Sequence, residues 1–238
     1  RVLFVRGTGI SGYEVVAGVA ASPQVRRWDG TTWQTLGAIS SGPAPNSFSY
    51  FGSRYVMAVT SAPNLVRLDA NVWSPIAGPG FSGRVHALLD GGTDVIIAGS
   101  FAAISGVPMN GIARGSSNAW SPLGTGVAGP FGIVRALAKL QNGDVVAGGS
   151  FTTGSGGAAD YIARWNGSSW STLGSGMNGT VRALRVMSNG DLIAGGSFTI
   201  AGGVAATYIA RWNGTTWAPP ATRSPFDITR NARTVPFM

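Results

Sequence analysis

The acidic side chains are the residues of this sequence that could catalyse a reaction, and they are few. The chain holds nine aspartates and glutamates in 238 residues. Four of them recur at one position of an internal repeat, namely Glu14, Asp94, Asp144 and Asp191. A glycoside hydrolase needs a pair of inward carboxylates, which such a ring of acids could supply. A residue that recurs from repeat to repeat is better explained by the architecture of the repeat, so we predict no catalytic residue and no enzyme.

One arginine recurs inside a predicted strand next to each of these acids. The arginines are Arg27, Arg67, Arg114, Arg164 and Arg211. Such a strand is covered on both faces by its neighbours, and buried charge must be paired. The predicted structural ion pairs are Glu14 with Arg27, Asp94 with Arg114, Asp144 with Arg164, and Asp191 with Arg211. The repeat that contains Arg67 has no acid at this position. A basic ring for an anionic ligand is the alternative interpretation.

A tryptophan lies six residues after each recurring arginine. Four of these tryptophans are candidate ligand platforms, namely Trp33, Trp120, Trp170 and Trp217. A large side chain at a repeated position fills the gap between neighbouring sheets. An indole flanked by Asn and Thr is also a typical surface for stacking a sugar ring. Core packing and sugar binding both stay open for these residues.

The scarcity of histidine and the absence of cysteine exclude most other kinds of catalytic or metal site. The single histidine is His86, in the segment Val85-His86-Ala87-Leu88, and the chain has no cysteine. Arg135 and Arg182 occupy the position of His86 in later repeats, so we interpret His86 as a substituted structural residue. One histidine without cysteine cannot form a histidine or cysteine metal cluster. We therefore predict no metal site and no cofactor.

The repeat defines the elements that must position these residues. The Arg and Trp anchors occur five times, with successive spacings of 40, 47, 50 and 47 residues. Each copy reads as four short strands, with Asn-Gly or Asp-Gly hairpin turns and a Gly, Ala and Ser loop between the second and third strands. Four strands in 40–50 residues are typical of a propeller blade. We predict an all-β protein, a β-propeller of five four-stranded blades.

The predicted organisation is one repeat domain followed by a tail. The propeller covers residues 1–217. Its approximate blades are 1–43, 44–82, 83–130, 131–179 and 180–217. Residues 218–238 form a Pro-containing tail that could supply a ring-closing segment, and the sequence leaves open whether five blades close into one ring.

Composition and charge exclude several classes of protein. The chain is 44% apolar with 37 glycines, and its apolar runs are too short to span a membrane. The net charge is +8, and sixteen of the seventeen basic residues are arginine. Five of these arginines are spaced one per repeat, whereas nucleic-acid-binding proteins gather basic residues on one face. We therefore predict no nucleic-acid partner and no membrane span.

The sequence motifs of the repeat resemble those of known propeller families. Gly148-Gly149 and Gly195-Gly196 at strand ends, with an aromatic residue and a tryptophan around an Asn-Gly turn, resemble kelch-type repeats. The segments Ile209 to Trp217 and Ala194 to Phe198 are similar to repeat arrays of secreted bacterial proteins and of fungal cortical polarity markers. The kelch-like resemblance implies a binding or scaffold protein and carries over no active site.

Three functional hypotheses follow from these observations. The first is a non-catalytic binding or scaffold module that mediates adhesion or protein–protein interaction at a surface. The second is a multivalent carbohydrate-binding lectin, and the third is a structural, fibre or decoration domain of a virion or surface assembly. The expected partner is a protein or a glycan at a cell or virion surface, and the expected location is extracellular or surface-exposed.

Overall fold

The computed structural model places β-strands along most of the chain, and every regular element in the ranges that it describes is a strand. The described residues are 2–7, 13–18, 24–28, 31–38, 45–51, 54–59, 65–69, 72–76, 80–92, 94–116, 119–127, 132–154, 157–158 and 160–220. The predicted tail is described only as far as residue 220, so most of it lies outside these ranges. Within them, no helix is long and apolar enough to cross a membrane.

An eight-stranded sheet is built from the first third of the chain. Its strands are β1 (Val2–Gly7), β2 (Tyr13–Gly18), β3 (Gln24–Trp28), β4 (Trp33–Ala38), β5 (Pro45–Phe51), β6 (Arg54–Val59), β7 (Leu65–Asp69) and β8 (Val72–Pro75). β1–β4 and β5–β8 are antiparallel meanders, which we call units one and two. One parallel pair, Ala38 with Val72, joins β4 to β8.

Three more four-stranded meanders, units three to five, follow along the chain. Unit three contains β9 (Val85–Asp90), β10 (Val95–Gly99), β11 (Ala103–Ile104), β12 (Val107–Pro108), β13 (Ile112–Ser116) and β14 (Ala119–Pro122). Unit four contains β15 (Ile133–Lys139), β16 (Val145–Ser150), β17 (Thr153–Gly154), β18 (Gly157–Ala158), β19 (Ile162–Trp165) and β20 (Trp170–Thr172). Unit five contains β21 (Val181–Val186), β22 (Leu192–Gly196), β23 (Ile200–Ala201), β24 (Val204–Ala205), β25 (Ile209–Trp212) and β26 (Trp217–Ala218).

The predicted Gly, Ala and Ser loop of each of these three units is a small two-stranded hairpin. The hairpins are β11–β12, β17–β18 and β23–β24. Ser105 and Gly106 have φ of 51° and 78°, and Gly202 and Gly203 have φ of 59° and 83°. Two consecutive residues with positive φ form the tight turn that matches strand twist, so these small residues close a hairpin that the sequence analysis predicts as a loop.

The units pack face to face in chain order. Their first strands adjoin, β1 against β5, β5 against β9, β9 against β15, and β15 against β21. Apolar clusters fill the spaces between successive units from two to five. β10 is buried along its whole length because both of its faces are covered. Four-stranded antiparallel units that bury a shared core against their neighbours form a β-propeller, as the sequence predicts.

Units three to five each present two different edges. We call the edge with the turn between the first and second strands the turn edge, and it holds 90–94, 140–144 and 187–191. The second strand then runs to the opposite edge, where the small hairpins lie and the first strand begins. We call this the hairpin edge, and it includes Arg84, His86, Arg135 and Arg182. The two edges carry different side chains, which decides what each can bind.

Candidate functional site

Three of the predicted Arg–Asp pairs meet at the turn edge. Arg114 Nε lies 2.7 Å from Asp94 Oδ2, Arg164 Nε lies 2.7 Å from Asp144 Oδ2, and Arg211 Nη1 lies 3.0 Å from Asp191 Oδ2. The strand register causes this meeting, since each arginine stands opposite the residue two positions after its acid. The arginine side chains are 37–45% exposed, so solvent screening limits each pair to about 0.2–1 kcal/mol.

The turn itself also uses the aspartate of units four and five. Asn142 Nδ2 donates to Asp144 Oδ2 at 2.9 Å, and the backbone N–H of Asp144 donates to Asn142 Oδ1 at 3.1 Å. Asn189 and Asp191 repeat both contacts at 2.7 and 3.2 Å. In unit four the Nε of Arg164 has no hydrogen bond to a described residue, so its 2.7 Å contact with Asp144 Oδ2 is an ion pair without hydrogen-bond geometry at this atom. These carboxylates are occupied by the turn and by arginine.

In units one and two the surroundings of the recurring arginine differ from those in units three to five. In unit one Arg27 Nη2 donates to Gln34 Oε1 at 3.1 Å. Val16 stands opposite Arg27, which places Glu14 at the register position of the other acids, but the side chain of Glu14 lies outside the described part. In unit two Val56 stands opposite Arg67, so Arg54 occupies the acid position. The ion pair of Glu14 with Arg27 stays a prediction.

The recurring tryptophan connects one unit to the unit before it. Trp73 Nε1 donates to the carbonyl of Leu36 at 2.7 Å, Trp170 Nε1 to that of Leu123 at 2.8 Å, and Trp217 Nε1 to that of Leu173 at 2.9 Å. The exposed fractions of these three tryptophans are only 7%, 6% and 3%. Stacking of a sugar needs an open ring face, which the burial of Trp170 and Trp217 does not leave.

Two other tryptophans depart from this pattern. Trp120 is partly buried against Phe81, and its Nε1 is buried without a hydrogen-bond partner. Trp33 is 45% exposed, and the structure gives its Nε1 no acceptor among the described residues. Trp33 still packs against Trp28, with ring centroids 5.6 Å apart, as Trp170 packs against Trp165 at 5.4 Å.

A β-bulge interrupts the first strand of units two to five at the hairpin edge. In unit two the pairing of β5 with β6 skips Asn46. The pairing of β9 with β10 skips His86, that of β15 with β16 skips Arg135, and that of β21 with β22 skips Arg182. A bulge redirects a side chain out of the regular alternation and is common beside functional sites. Because these first strands pack side by side, the bulges of units three to five bring one histidine and two arginines to the same edge.

The electrostatics of this edge are basic. Burial of the imidazole lowers the pKa of His86, and the positive charges of Arg135 and Arg84 lower it further. Arg135 Nε donates to Ser150 Oγ at 3.4 Å, a long bond, and no described carboxylate pairs with Arg84, Arg135 or Arg182. Asp160 is the single acid among the side chains described at the hairpin edge. The described acids of units three to five are otherwise at the turn edge.

The small hairpins are fixed in place beside these bulges. Ser82 Oγ accepts hydrogen bonds from the backbone N–H groups of residues 102 and 103 at 2.9 and 2.8 Å. Asn178 occupies the equivalent position in unit five, and its Oδ1 accepts from the N–H groups of residues 199 and 200, both at 2.8 Å. Val107 and Val204 occupy the same register position of β12 and β24, and both are exposed. The hairpins β11–β12 and β23–β24 therefore each present an exposed valine, and side-chain hydrogen bonds to the backbone hold each hairpin in place.

Two cavities accompany these edges. A cavity of about 310 Å³ beside β11–β12 is lined mainly by apolar residues, including Ile104, Val107, Met109 and Trp120. A second of about 240 Å³ lies between units three and four at the turn edge and includes Asp144 and Lys139. The described side chains contain no group of three or more histidines, aspartates or glutamates that could hold a metal ion.

The bulge residues are the part of this site that sequence reasoning missed. The repeat has Arg135 and Arg182 at the position of His86, and a recurring position of this kind indicates a structural role. The sequence does contain a signal, because two arginines with no predicted acidic partner share one position near the start of a strand with a histidine. The bulge itself cannot be recognised in the sequence, because one residue that is skipped in the strand pairing leaves the hydrophobic pattern nearly unchanged.

No protein-family profile matches the chain, and no curated protein matches it in sequence. Solved structures do match its fold. The extracellular domain of the putative one-component system BT4673 from B. thetaiotaomicron is 12% identical, with a TM-score of 0.54 over 78% of this chain and 25% of that chain. YCF48 bound to D1 peptide is 18% identical, with a TM-score of 0.51 over 87% and 62% of the two chains. Streptogramin B lyase is 11% identical, with a TM-score of 0.58 over 91% and 66%.

These similarities concern the fold. Structures of the WD40 propeller domain of Doa1 and of the proteins above confirm the predicted all-β propeller class. The chain spans between a quarter and about two thirds of the length of the matched structures. The kelch-like character of the repeat and the number of blades stay predictions.

Proposed function

We propose that this chain is a non-catalytic β-propeller module that binds a protein partner through the hairpin edge. The observation that carries the proposal is the repeated bulge, which brings His86, Arg135 and Arg182 together on adjoining first strands. Bulges are designed features rather than defects of a sheet. Unit two has Asn46 at the same register position, and it is the basic or imidazole side chain at this position in units three to five that indicates one binding surface. We extend the proposal to a propeller domain of residues 1–217 with its five predicted blades.

The charge of this edge selects an acidic partner. Arg84, Arg135 and Arg182 have no carboxylate partner among the described residues. Three acids of the same units pair with arginine at the other edge, namely Asp94, Asp144 and Asp191. A guanidinium binds a carboxylate through two parallel hydrogen bonds, so each arginine offers one docking point for Asp or Glu. Opposite charges across an interface also raise the rate of association.

Apolar contacts beside the charges favour a polypeptide over a small anion. Val107 and Val204 are exposed on hairpins that side-chain hydrogen bonds hold in place. The cavity of about 310 Å³ beside Val107 is large enough for one apolar side chain of a partner. A segment that combines acidic and apolar residues fits this surface, whereas a simple phosphate or sugar would leave the valines uncovered.

Two of the matched structures support a protein-binding role at a surface. YCF48, which has the same fold, was solved with a peptide bound. BT4673 carries its similar domain outside the cell, which supports the extracellular or surface location that we propose here. Adhesion is the form of such binding that a surface location favours.

The proposal is tested with peptides selected on the purified protein. A phage-displayed random peptide library is panned on the immobilised chain, and selected peptides are measured by fluorescence polarisation. We expect enrichment of Asp and Glu next to apolar residues. R135E and R182E are each expected to weaken binding by about tenfold or more, since a hydrogen bond to a charged group contributes about 1.5–3 kcal/mol.

The matched control is K139E. Lys139 lies on the same strand β15 as Arg135 but at the turn edge, and the substitution changes the net charge by the same amount. We expect K139E to bind within about twofold of the unmodified protein, because its charge is remote from the docking points. Failure to enrich any peptide, or equal weakening by K139E and R135E, would refute the proposal.

A further inference from the structure

The interface that repeats between units is left uncovered at both ends of the series. Neighbouring first strands adjoin from β1 to β21, but β21 does not pack in this way against β1 within the described strands. Among the described residues, unit five therefore has one face that no other unit covers, and unit one has another such face. The residues of these two faces differ from their counterparts in the way that an empty interface predicts.

The open face of unit five has apolar residues that are buried elsewhere. We call it the tail face, and its members are Ala183, Arg185, Ile193, Gly195 and Ile209. Ile209 is 46% exposed, whereas its counterparts Ile162 and Ile112 are fully buried. Those counterparts belong to clusters shared with the next unit, Ile162 beside Val181 and Ile112 beside Val134. Arg185 is the charged exception, and its aliphatic stem can lie along apolar surface while its guanidinium stays in water.

Gly195 is the glycine of the tail face, and its counterpart Gly148 shows how closely a following unit approaches this position. A Cβ added to Gly148 in unit four would lie 2.5 Å from Val181 Cγ1 and 3.2 Å from Leu184 Cδ1. A Cβ added to its counterpart Gly195 would meet nothing nearer than 3.9 Å. Gly195 thus keeps the small residue that an adjoining unit requires, although no described residue of another unit lies within 4 Å of an added Cβ.

The open face of unit one exposes the tryptophan that other units bury. We call it the head face, and Trp28 and Trp33 are its described aromatic members. Trp33 is 45% exposed, whereas Trp73, Trp170 and Trp217 are at most 7% exposed. Each of those three donates to a carbonyl that lies three residues after the recurring tryptophan of the preceding unit. The same position after Trp217 is Pro220, whose carbonyl can accept.

We propose that the tail face of one copy of this chain binds the head face of a second copy. The contact reproduces the interface between units, with Trp33 beside unit five of the other copy and its Nε1 donating to the carbonyl of Pro220. Both faces already pack against each other at each boundary from unit two to unit five, so the two faces are complementary by repetition. Because the two faces differ, the contact is heterologous and joins copies head to tail.

The test measures mass against concentration for three proteins. The unmodified chain is expected to show concentration-dependent association by light scattering and analytical ultracentrifugation. The Cβ of G195L meets nothing nearer than 3.9 Å within one copy, and the rest of its side chain extends into the space that the second copy needs. W33A removes the head anchor. Each variant alone is expected to weaken association by about a hundredfold. Their equimolar mixture is expected to form a one-to-one dimer, since one intact tail face meets one intact head face.

Two further results decide the matter. A205L adds similar bulk to the exposed β24 outside the tail face, and we expect it to associate like the unmodified chain. An unmodified chain that stays monomeric at all concentrations would overturn the proposal, and would assign the tail face to unit one of the same chain or to residues 221–238. Association that persists in both G195L and W33A would overturn it as well.

Discussion

Replacing Gly148 by alanine tests the repeated interface inside the molecule. The new methyl group would lie 2.5 Å from Val181 Cγ1 and 3.0 Å from Val181 Cβ, well inside van der Waals contact. Val181 is fully buried and β-branched, so it cannot turn away without moving its strand. Extra bulk in a packed core of this kind costs about 1–3 kcal/mol, and we expect Gly148→Ala to lower the free energy of unfolding by that amount.

The same substitution at Gly195 is the internal control. Its Cβ meets nothing within 3.9 Å, so no packing is disturbed. Loss of glycine restricts the unfolded chain, which is expected to stabilise the protein by up to about 1 kcal/mol. Both variants are measured by urea unfolding followed by tryptophan fluorescence. Equal unfolding free energies for the two variants would refute the claim that unit five closely covers Gly148 while Gly195 is open.

Three other predictions concern the ion pairs, the tryptophans and the histidine. A double-mutant cycle of Arg211→Ala and Asp191→Ala should give a coupling of no more than about 1 kcal/mol, because the arginine is partly exposed; a larger coupling would show that the pair is a main source of stability. Trp170→Phe should lower the free energy of unfolding by about 1–3 kcal/mol, because a buried carbonyl loses its donor. Trp33→Phe should lower it by less than about 0.5 kcal/mol, because Trp33 is partly exposed. Both are measured by urea unfolding of the monomer, and equal losses would contradict this prediction. The pKa of His86 is lowered, so as the pH drops the unfolded state binds a proton before the folded state does. Stability therefore falls as the pH drops from the ordinary histidine pKa to the lowered one. His86→Gln should flatten this part of a stability–pH curve, and an unchanged curve would count against a partly buried imidazole that stays neutral in the folded protein.

The sequence contains enough information to predict the strands and their order. Asn-Gly dipeptides mark the turns because glycine takes the positive φ that they need, as Gly143 and Gly190 do at 91° and 89°. The recurring arginine and aspartate could be paired in advance because antiparallel register fixes which positions share a face. The structure brings three of the four proposed pairs together, and the fourth depends on Glu14, whose side chain lies outside the described part.

The candidate binding edge could not be read from the sequence in the same way. A bulge adds one residue to a strand, and the apolar alternation around Arg135 and Arg182 continues on either side of it. Exposure of Trp33 was equally hidden, because a repeat predicts the same environment for every copy. Only the packing order of the units distinguishes an end from an interior position. The small hairpins escaped prediction because Gly, Ala and Ser favour turns without specifying two-residue strands.

A charge-swap binding measurement tests the hairpin-edge proposal most directly. The best acidic peptide selected on the unmodified chain is remade with Lys or Arg at each acidic position, and both peptides are titrated against the unmodified protein and the R135E/R182E double variant. Binding at the hairpin edge predicts that each peptide prefers the protein of opposite charge by about a hundredfold, since two charged contacts reverse together. If the original acidic peptide binds the double variant as tightly as the unmodified protein, the hairpin edge is not the binding site.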